Sequence, residues 1–413
     1  MKKLTLTIAL SLTANIHSAI EILDRIAVIV DDGLIMESQI KSGLDEIVLL
    51  YKQQNIPLPS TDSLKDQVIE SLIIEELQLQ MGNRAGVRIS DSELNDAITR
   101  IANNSNMGLQ EFIVYIENDG ESYESFRENV RKQMIIQRIQ RGRVGSEIDI
   151  TEKEFAAFLE TDESLTELEP EFLVRQILVQ NISEADALVS RIENGEEFSE
   201  VAKEVSLSSN ASIGREMPWR KISDMPELFS NALKNKNIGF ISKPLKSGAG
   251  YHLLKIEDKR GQFVQYEDQW FSRHILLSPS AIRDEESTKI EITNIRERIL
   301  NGEEFAALAE EYSEDPGSAK QGGDLDWLGK GVLAPEFEQI MIESSIGQIS
   351  EVFQTQFGFH FLEVLDKRNY DMTRDLIEDR AYQILYGRKY EEELENTLRS
   401  MRAEAFVEIK DLD

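Results

Sequence analysis

His17, His252, His274 and His360 are the only imidazoles in this chain of 413 residues, and there is no cysteine. The missing thiols exclude disulfides, thiolate metal sites and a cysteine nucleophile. Four scattered histidines do not suit a multi-histidine metal centre, so no metal and no other cofactor is expected. His360 stands between Phe359 and Phe361 in an apolar run, where an imidazole is ordinarily a satisfied core group. Gly322-Gly323 does not read as a phosphate cradle, because no GxGxxG or Walker pattern surrounds it. Without an ATP motif, any capture and release of a partner is passive. The net charge of −31 argues against a nucleic-acid grip, which needs clustered Lys and Arg.

The elements that must position these groups follow from hydrophobic period. Met1-Lys2-Lys3, the largely apolar Leu4–Ile16 and the small pair Ser18-Ala19 read as a secretory signal peptide over 1–19, and so as export to the periplasm. Residues 22–30 form a β-branched run that Asp31-Asp32-Gly33 stops, a strand and a turn. Leu64, Val68 and Leu72, with Ile69, Ile73, Leu77 and Met81, give a wide apolar stripe that predicts a helix over 62–82. Ser90-Asp91-Ser92-Glu93 and Thr151-Glu152-Lys153-Glu154 read as capping boxes. Further helices are expected at 109–118, 122–141 and 152–160, which makes 20–165 a mostly helical region. Glu167-Leu168-Glu169-Pro170 reads as a linker.

Beyond the linker the sequence repeats itself. Arg175-Gln176-Ile177-Leu178 matches Arg273-His274-Ile275-Leu276, and Asn194-Gly195-Glu196-Glu197-Phe198 matches Asn301-Gly302-Glu303-Glu304-Phe305. Trp219 matches Trp327, Pro226-Glu227-Leu228-Phe229 is set against Pro335-Glu336-Phe337-Glu338, and Gly250-Tyr251-His252 matches Gly358-Phe359-His360. Two tandem copies of one small α/β domain are expected, at 168–265 and 267–369. After Asn369 the chain returns to helix, then to a short strand at 406–409. A lone amphipathic helix cannot bury its stripe. Residues 370–413 should therefore pack on the N-terminal region, with the two terminal strands free to pair. The fold class is α+β and multidomain.

The second repeat carries an ordered constellation. It runs from Arg273-His274-Ile275-Leu276 through Tyr312-Ser313-Glu314-Asp315-Pro316-Gly317-Ser318, Gly322-Gly323-Asp324-Leu325 and Trp327 to Thr355-Gln356-Phe357-Gly358-Phe359-His360. In this it resembles the parvulin family of peptidyl-prolyl cis/trans isomerases over the whole domain length. Two such repeats held between an N-terminal helical region and a C-terminal helix resemble the SurA family of periplasmic chaperones across essentially the whole chain. The resemblance implies a catalytic polar set of His274, Asp315, Thr355 and His360, and a proline slot at Leu333 and Phe337. Asp315 stands where other members have cysteine, so an obligatory thiol is not implied. Asp326 departs from the glycine usual at its position. In the first repeat Gln176 replaces the first histidine, Ser208 replaces Asp315 and Ser247 replaces Thr355, which implies a folded but weak or inactive isomerase.

Turning an X–Pro bond breaks no covalent bond, and its barrier of roughly 18–20 kcal/mol comes from amide resonance. An apolar slot for the ring and a few polar groups near the amide would favour the twisted form. The resemblance further implies a chaperone that holds unfolded outer-membrane β-barrel proteins, binds proline-containing peptides, and works with the outer-membrane assembly machinery. Nucleic acid and ATP are not among the expected partners. A plain foldase, in which isomerisation is the purpose and the helices only an anchor, is the competing expectation. A third is a binding protein whose second parvulin is also idle.

Overall fold

The computed structural model describes residues 24–205 and 216–410. The expected signal peptide and Ser208 lie outside the described residues. The chain divides into two compact units, one of residues 1–150 with 386–413 and one of residues 151–385.

The first unit opens on β1 (Ile26–Val30), which turns at Asp31 and Asp32 into β2 (Gly33–Met36). Helix α1 (Glu37–Gln53) follows directly. It was not anticipated, although Ile40, Leu44 and Ile47 recur at helical spacing and pack into the core. Helix α2 (Thr61–Arg84) carries the predicted stripe, and its Val68, Ile69, Ile73 and Leu77 form one cluster with Ala27, Val28 and Val30 of β1. Ser90 caps α3 (Asp91–Asn104) with the full capping box to Glu93. Helices α4 (Leu109–Asp119) and α5 (Tyr123–Glu147) complete a second cluster around Leu94, Ile98 and Phe112. The far end of the chain belongs here too. Val407 pairs antiparallel with Val30, and Ile409 with Val28, so a three-stranded sheet joins the two termini.

The second unit begins with α6 (Glu152–Leu159) and α7 (Asp162–Leu168). Thr151 caps α6 by accepting from Glu154 N–H. Part of the expected linker is therefore helix. The first repeat comprises β3 (Glu171–Val179), α8 (Ile182–Glu193), α9 (Phe198–Val205), β4 (Arg220–Lys221), α10 (Glu227–Leu233), β5 (Leu245–Ser247) and β6 (Gly250–Arg260). The second comprises β7 (Tyr266–Leu277), α11 (Glu285–Leu300), α12 (Phe305–Tyr312), β8 (Asp324–Leu328), α13 (Pro335–Glu343), β9 (Phe353–Thr355) and β10 (Gly358–Asp371). Helix α14 (Thr373–Glu404) and β11 (Val407–Ile409) close the chain.

The two repeats have the same sheet order, β4-β3-β6-β5 and β8-β7-β10-β9. Alternation along the central strands of the second repeat decides which side chains can meet. Ile275, Leu277, Phe359 and Phe361 face α11 and α12. The intervening Trp270, Leu362 and Val364 face α13. His274 and His360 share that second face. Because His274 stands opposite Leu362 and His360 opposite Leu276, the two imidazoles are diagonal neighbours.

Candidate active site

His274 and His360 are both buried, with rings stacked at an interplanar angle of 14° and Nδ1 atoms 3.3 Å apart. Thr355, at the end of β9, lies 2.8 Å from His360 Nε2 through Oγ1 and accepts from Phe357 N–H at 3.1 Å. Asp315 sits on the loop after α12, 3.3 Å from His274 Nε2. The structure thus brings together all four polar residues singled out from the sequence. It adds Ser318, buried, whose Oγ lies 3.0 Å from His274 Nε2. Ser318 also donates to Asp315 Oδ2 through its N–H at 2.9 Å and its hydroxyl at 2.5 Å. Spacing gave a weak signal for Ser318: a serine three residues after an aspartate is placed to close a local turn on it.

Charge states fix the direction of this chain of hydrogen bonds. Burial pulls the His274 pKa below its ordinary value, although Asp315 works the other way. Burial, reinforced by His274, lowers His360 to about 4. Burial alone would raise Asp315, but hydrogen bonds from Ser318 and His274 outweigh it and the carboxyl ends below the usual range. At neutral pH the site therefore holds two neutral imidazoles and one carboxylate. A carboxylate only accepts, so Ser318 gives its hydroxyl proton to Asp315 and accepts from His274 Nε2–H. His274 Nδ1 is then a lone pair, and His360 must supply Nδ1–H. His360 Nε2 accepts in turn from the Thr355 hydroxyl. Every donor from Phe357 N–H onward points toward Asp315. All the hydrogen bonds to the Asp315 carboxylate end on Oδ2, and its side chain is 24% exposed where the His274 side chain is 7%.

The apolar side of the site is built on α13. Phe337 sets its edge against both imidazoles, 5.3 Å from the His274 centroid and 5.5 Å from that of His360. Phe353, which sequence reading did not single out, stacks on His360 at 5.5 Å. Leu333 joins the same apolar cluster half-buried, at the N-terminal approach to α13. The Gly-Gly pair is a device for close approach. Gly323 takes φ of +83°, accepts from His274 N–H at 2.9 Å, and a Cβ there would lie 2.3 Å from the His274 carbonyl. Asp326, in place of glycine, takes φ of +60°, and Trp327 N–H donates to its Oδ1 at 2.8 Å. The left-handed backbone is what makes glycine usual here, and an aspartate tolerates it.

The first repeat keeps a partial copy. Gln176 hydrogen-bonds His252 Nδ1, and Ser247 Oγ lies 2.6 Å from His252 Nε2. The ring that meets His252, at 5.1 Å, is Phe229. The counterpart of Phe337 is therefore Phe229 and not Leu228, a one-residue correction to the sequence alignment. It arises because α10 starts at Glu227 where α13 starts at Pro335, so matching the prolines misaligns the helices. By the same register Met225, buried beside Phe229, takes the place of Leu333.

Comparison with known proteins agrees with this architecture. Residues 23–140 match the SurA N-terminal domain, and residues 177–258 and 264–368 each match a PPIC-type peptidyl-prolyl isomerase domain. The chaperone SurA of Pseudomonas syringae pv. syringae is 40% identical over 416 residues, covering 97% of both chains. The chain belongs to the SurA chaperone family. The chaperone SurA of Pseudomonas aeruginosa is 39% identical over 95% of this chain and 97% of its own. A solved SurA-like chaperone of Campylobacter jejuni is 18% identical, covers 57% of this chain and 82% of its own, and superposes with a TM-score of 0.27. Membership rests on the sequence relatives. As a SurA-family protein the chain is a chaperone with parvulin-type peptidyl-prolyl isomerase domains.

Proposed function

We propose that this SurA-family protein holds unfolded outer-membrane β-barrel proteins in the periplasm, and that its second parvulin domain supplies the prolyl isomerase activity. The observation that carries the catalytic part is the unbroken chain from Thr355 through His360, His274 and Ser318 to a partly exposed carboxylate at Asp315, beside the Leu333 and Phe337 slot. Resonance in a planar prolyl amide adds negative charge to its oxygen and positive charge to nitrogen, and twisting lessens both. A fixed carboxylate beside the carbonyl disfavours the planar charge distribution more than the twisted one, which lowers the barrier. The buried imidazoles hold Asp315 in place and ionised without contributing a charge of their own. In the first domain Gln176 and Ser208 stand where the second has His274 and Asp315, so the sequence supplies neither the second imidazole nor the carboxylate at those positions. We therefore assign that domain weak or no activity.

Holding falls to the composite helical domain, for which we take bounds of 20–165 and 370–413, with parvulin domains at 168–265 and 267–369. Its described surface leaves Leu49, Leu50, Ile56, Leu58, Val114 and Tyr115 exposed. Unpaired strands of a β-barrel protein, alternately apolar, are partners for such a surface. The N-terminal 1–19 segment has the composition of an export signal, which supports the compartment. Delivery to the outer-membrane assembly machinery is part of the same reading.

The test compares full-length protein with a full-length Asp315→Ala variant. Both are assayed for turnover of an Ala-Pro peptide and for suppression of aggregation of an unfolded outer-membrane β-barrel protein. The proposal expects turnover to fall at least about tenfold and protection to stay. Loss of protection by the folded variant would favour the foldase reading instead.

A further inference from the structure

The tip of the β9–β10 hairpin carries an aromatic ring with no structural work to do. Phe357 is 59% exposed and joins no apolar cluster and no ring pair among the described residues. Yet its backbone is tied down at both ends. Its N–H donates to Thr355 Oγ1 at 3.1 Å, and its carbonyl accepts from Ser278 Oγ at 2.8 Å. The following Gly358 has φ of +140° and comes so close to β7 that a Cβ would lie 2.4 Å from the Leu277 carbonyl.

The first repeat provides an internal control for what the phenyl group contributes. There Ala249 occupies the position of Phe357. Its N–H donates to Ser247 Oγ at 3.0 Å, and its carbonyl accepts from Gln180 Nε2 at 3.4 Å. Gly250 then takes φ of +134°, with a Cβ position 2.4 Å from the Val179 carbonyl. The hairpin is the same, bond for bond, without the ring. Folding therefore does not require a phenyl at 357, while exposing one to water is unfavourable by the area it presents. Phe357 is held by its backbone two residues from Thr355, at the rim of the site whose polar chain ends on the Asp315 carboxylate, where the first repeat has Ser208 in its sequence.

We infer that Phe357 is a specificity-determining residue, which binds a large apolar side chain, aromatic above all, directly flanking the proline of the substrate. The inference rests on the second parvulin domain being the isomerase. Ring against ring, such a contact stabilises the complex enough to change affinity about three- to tenfold. Because it forms on binding and lies outside the rotating amide, it acts on KM more than on kcat.

The experiment measures cis/trans exchange by NMR for four short peptides, with Phe or Ala immediately before or immediately after proline. It uses the full-length chain, its Phe357→Ala variant and its Phe357→Leu variant. The expected result is a three- to tenfold preference of the unaltered chain for a Phe-flanked peptide, seen in KM. Phe357→Ala brings that ratio to about one, and Phe357→Leu leaves an intermediate value. The Ala249 precedent predicts that both variants melt with the unaltered chain. A ratio that survives Phe357→Ala, or no preference in the unaltered chain, overturns the inference while leaving the isomerase reading standing. Absence of turnover on all four peptides overturns that reading, and this inference with it.

Discussion

Lowering the pH should loosen the second parvulin domain through one side chain. Burial and the neighbouring His274 depress the pKa of His360 from 6.5 to about 4. The folded state therefore binds fewer protons than the unfolded one between those values. The stability this contributes is fully present above pH 6.5 and is lost as pH falls toward 4. At pH 4.5 an unfolded imidazole is almost wholly protonated, while folded His360 is about one-quarter protonated. The difference costs about 2.5 kcal/mol of domain stability, a large share of the total for a small domain. The direct assay follows the ring carbon-bound protons of the four histidines by NMR from pH 7.5 to 4 in the full-length chain. His360 should titrate with a midpoint of about 4, and His274 should also fall below its ordinary value. A His360 midpoint near 6.5 would refute the burial argument. It would also remove the basis for the one-way direction of the hydrogen-bond chain.

Other perturbations have outcomes that can be stated as firmly. Phe337→Ala removes a buried ring that touches both imidazoles, and should cost about 3–5 kcal/mol of second-domain stability in a denaturant melt and abolish turnover; an unchanged melt would mean the ring is not packed as described. Asp315→Ala frees the Ser318 hydroxyl to donate to His274 Nε2, so nitrogen NMR should report both histidines changing tautomer together; retention of the original tautomers would show that Asp315 does not set the direction. Ending the chain after Glu404 removes β11 and exposes its partners Val28 and Val30 near the other end of the chain, at a cost of about 3 kcal/mol to the first unit from lost ladder bonds and apolar burial; an unaffected melt of that unit would show the terminal pairing to be ornamental.

Much of this was legible in the sequence because it is written as period or as repetition. The stripe of α2, the box at Ser90 and the alternation that puts His274 and His360 on one face are local patterns, and local patterns survive into the fold. The resemblance to parvulins named the polar set, and strand alternation explains why its members meet. Helix α1 is hard to read from the sequence because it follows β2 without a loop and buries only Ile40 fully. Ser318 and Phe353 were missed for a different reason. Both act across elements, Ser318 by bridging a loop to β7 and Phe353 by stacking from β9 onto β10; spacing hints at the local turn of Ser318 on Asp315 but not at its contact with His274. The misalignment of Leu228 with Phe337 has the same origin, since a shared proline outweighed the helix register that only packing reveals.

The central proposal is that the second of the two parvulin domains does the isomerisation, because its hydrogen-bond chain ends on the Asp315 carboxylate where the first domain has Ser208 in its sequence. The most direct measurement is prolyl turnover by two full-length variants, Asp315→Ala in the second domain and His252→Ala in the first. The account predicts that Asp315→Ala loses at least about tenfold in kcat/KM and that His252→Ala keeps the rate of the unaltered chain. The reverse pattern, or equal losses from both, would contradict it.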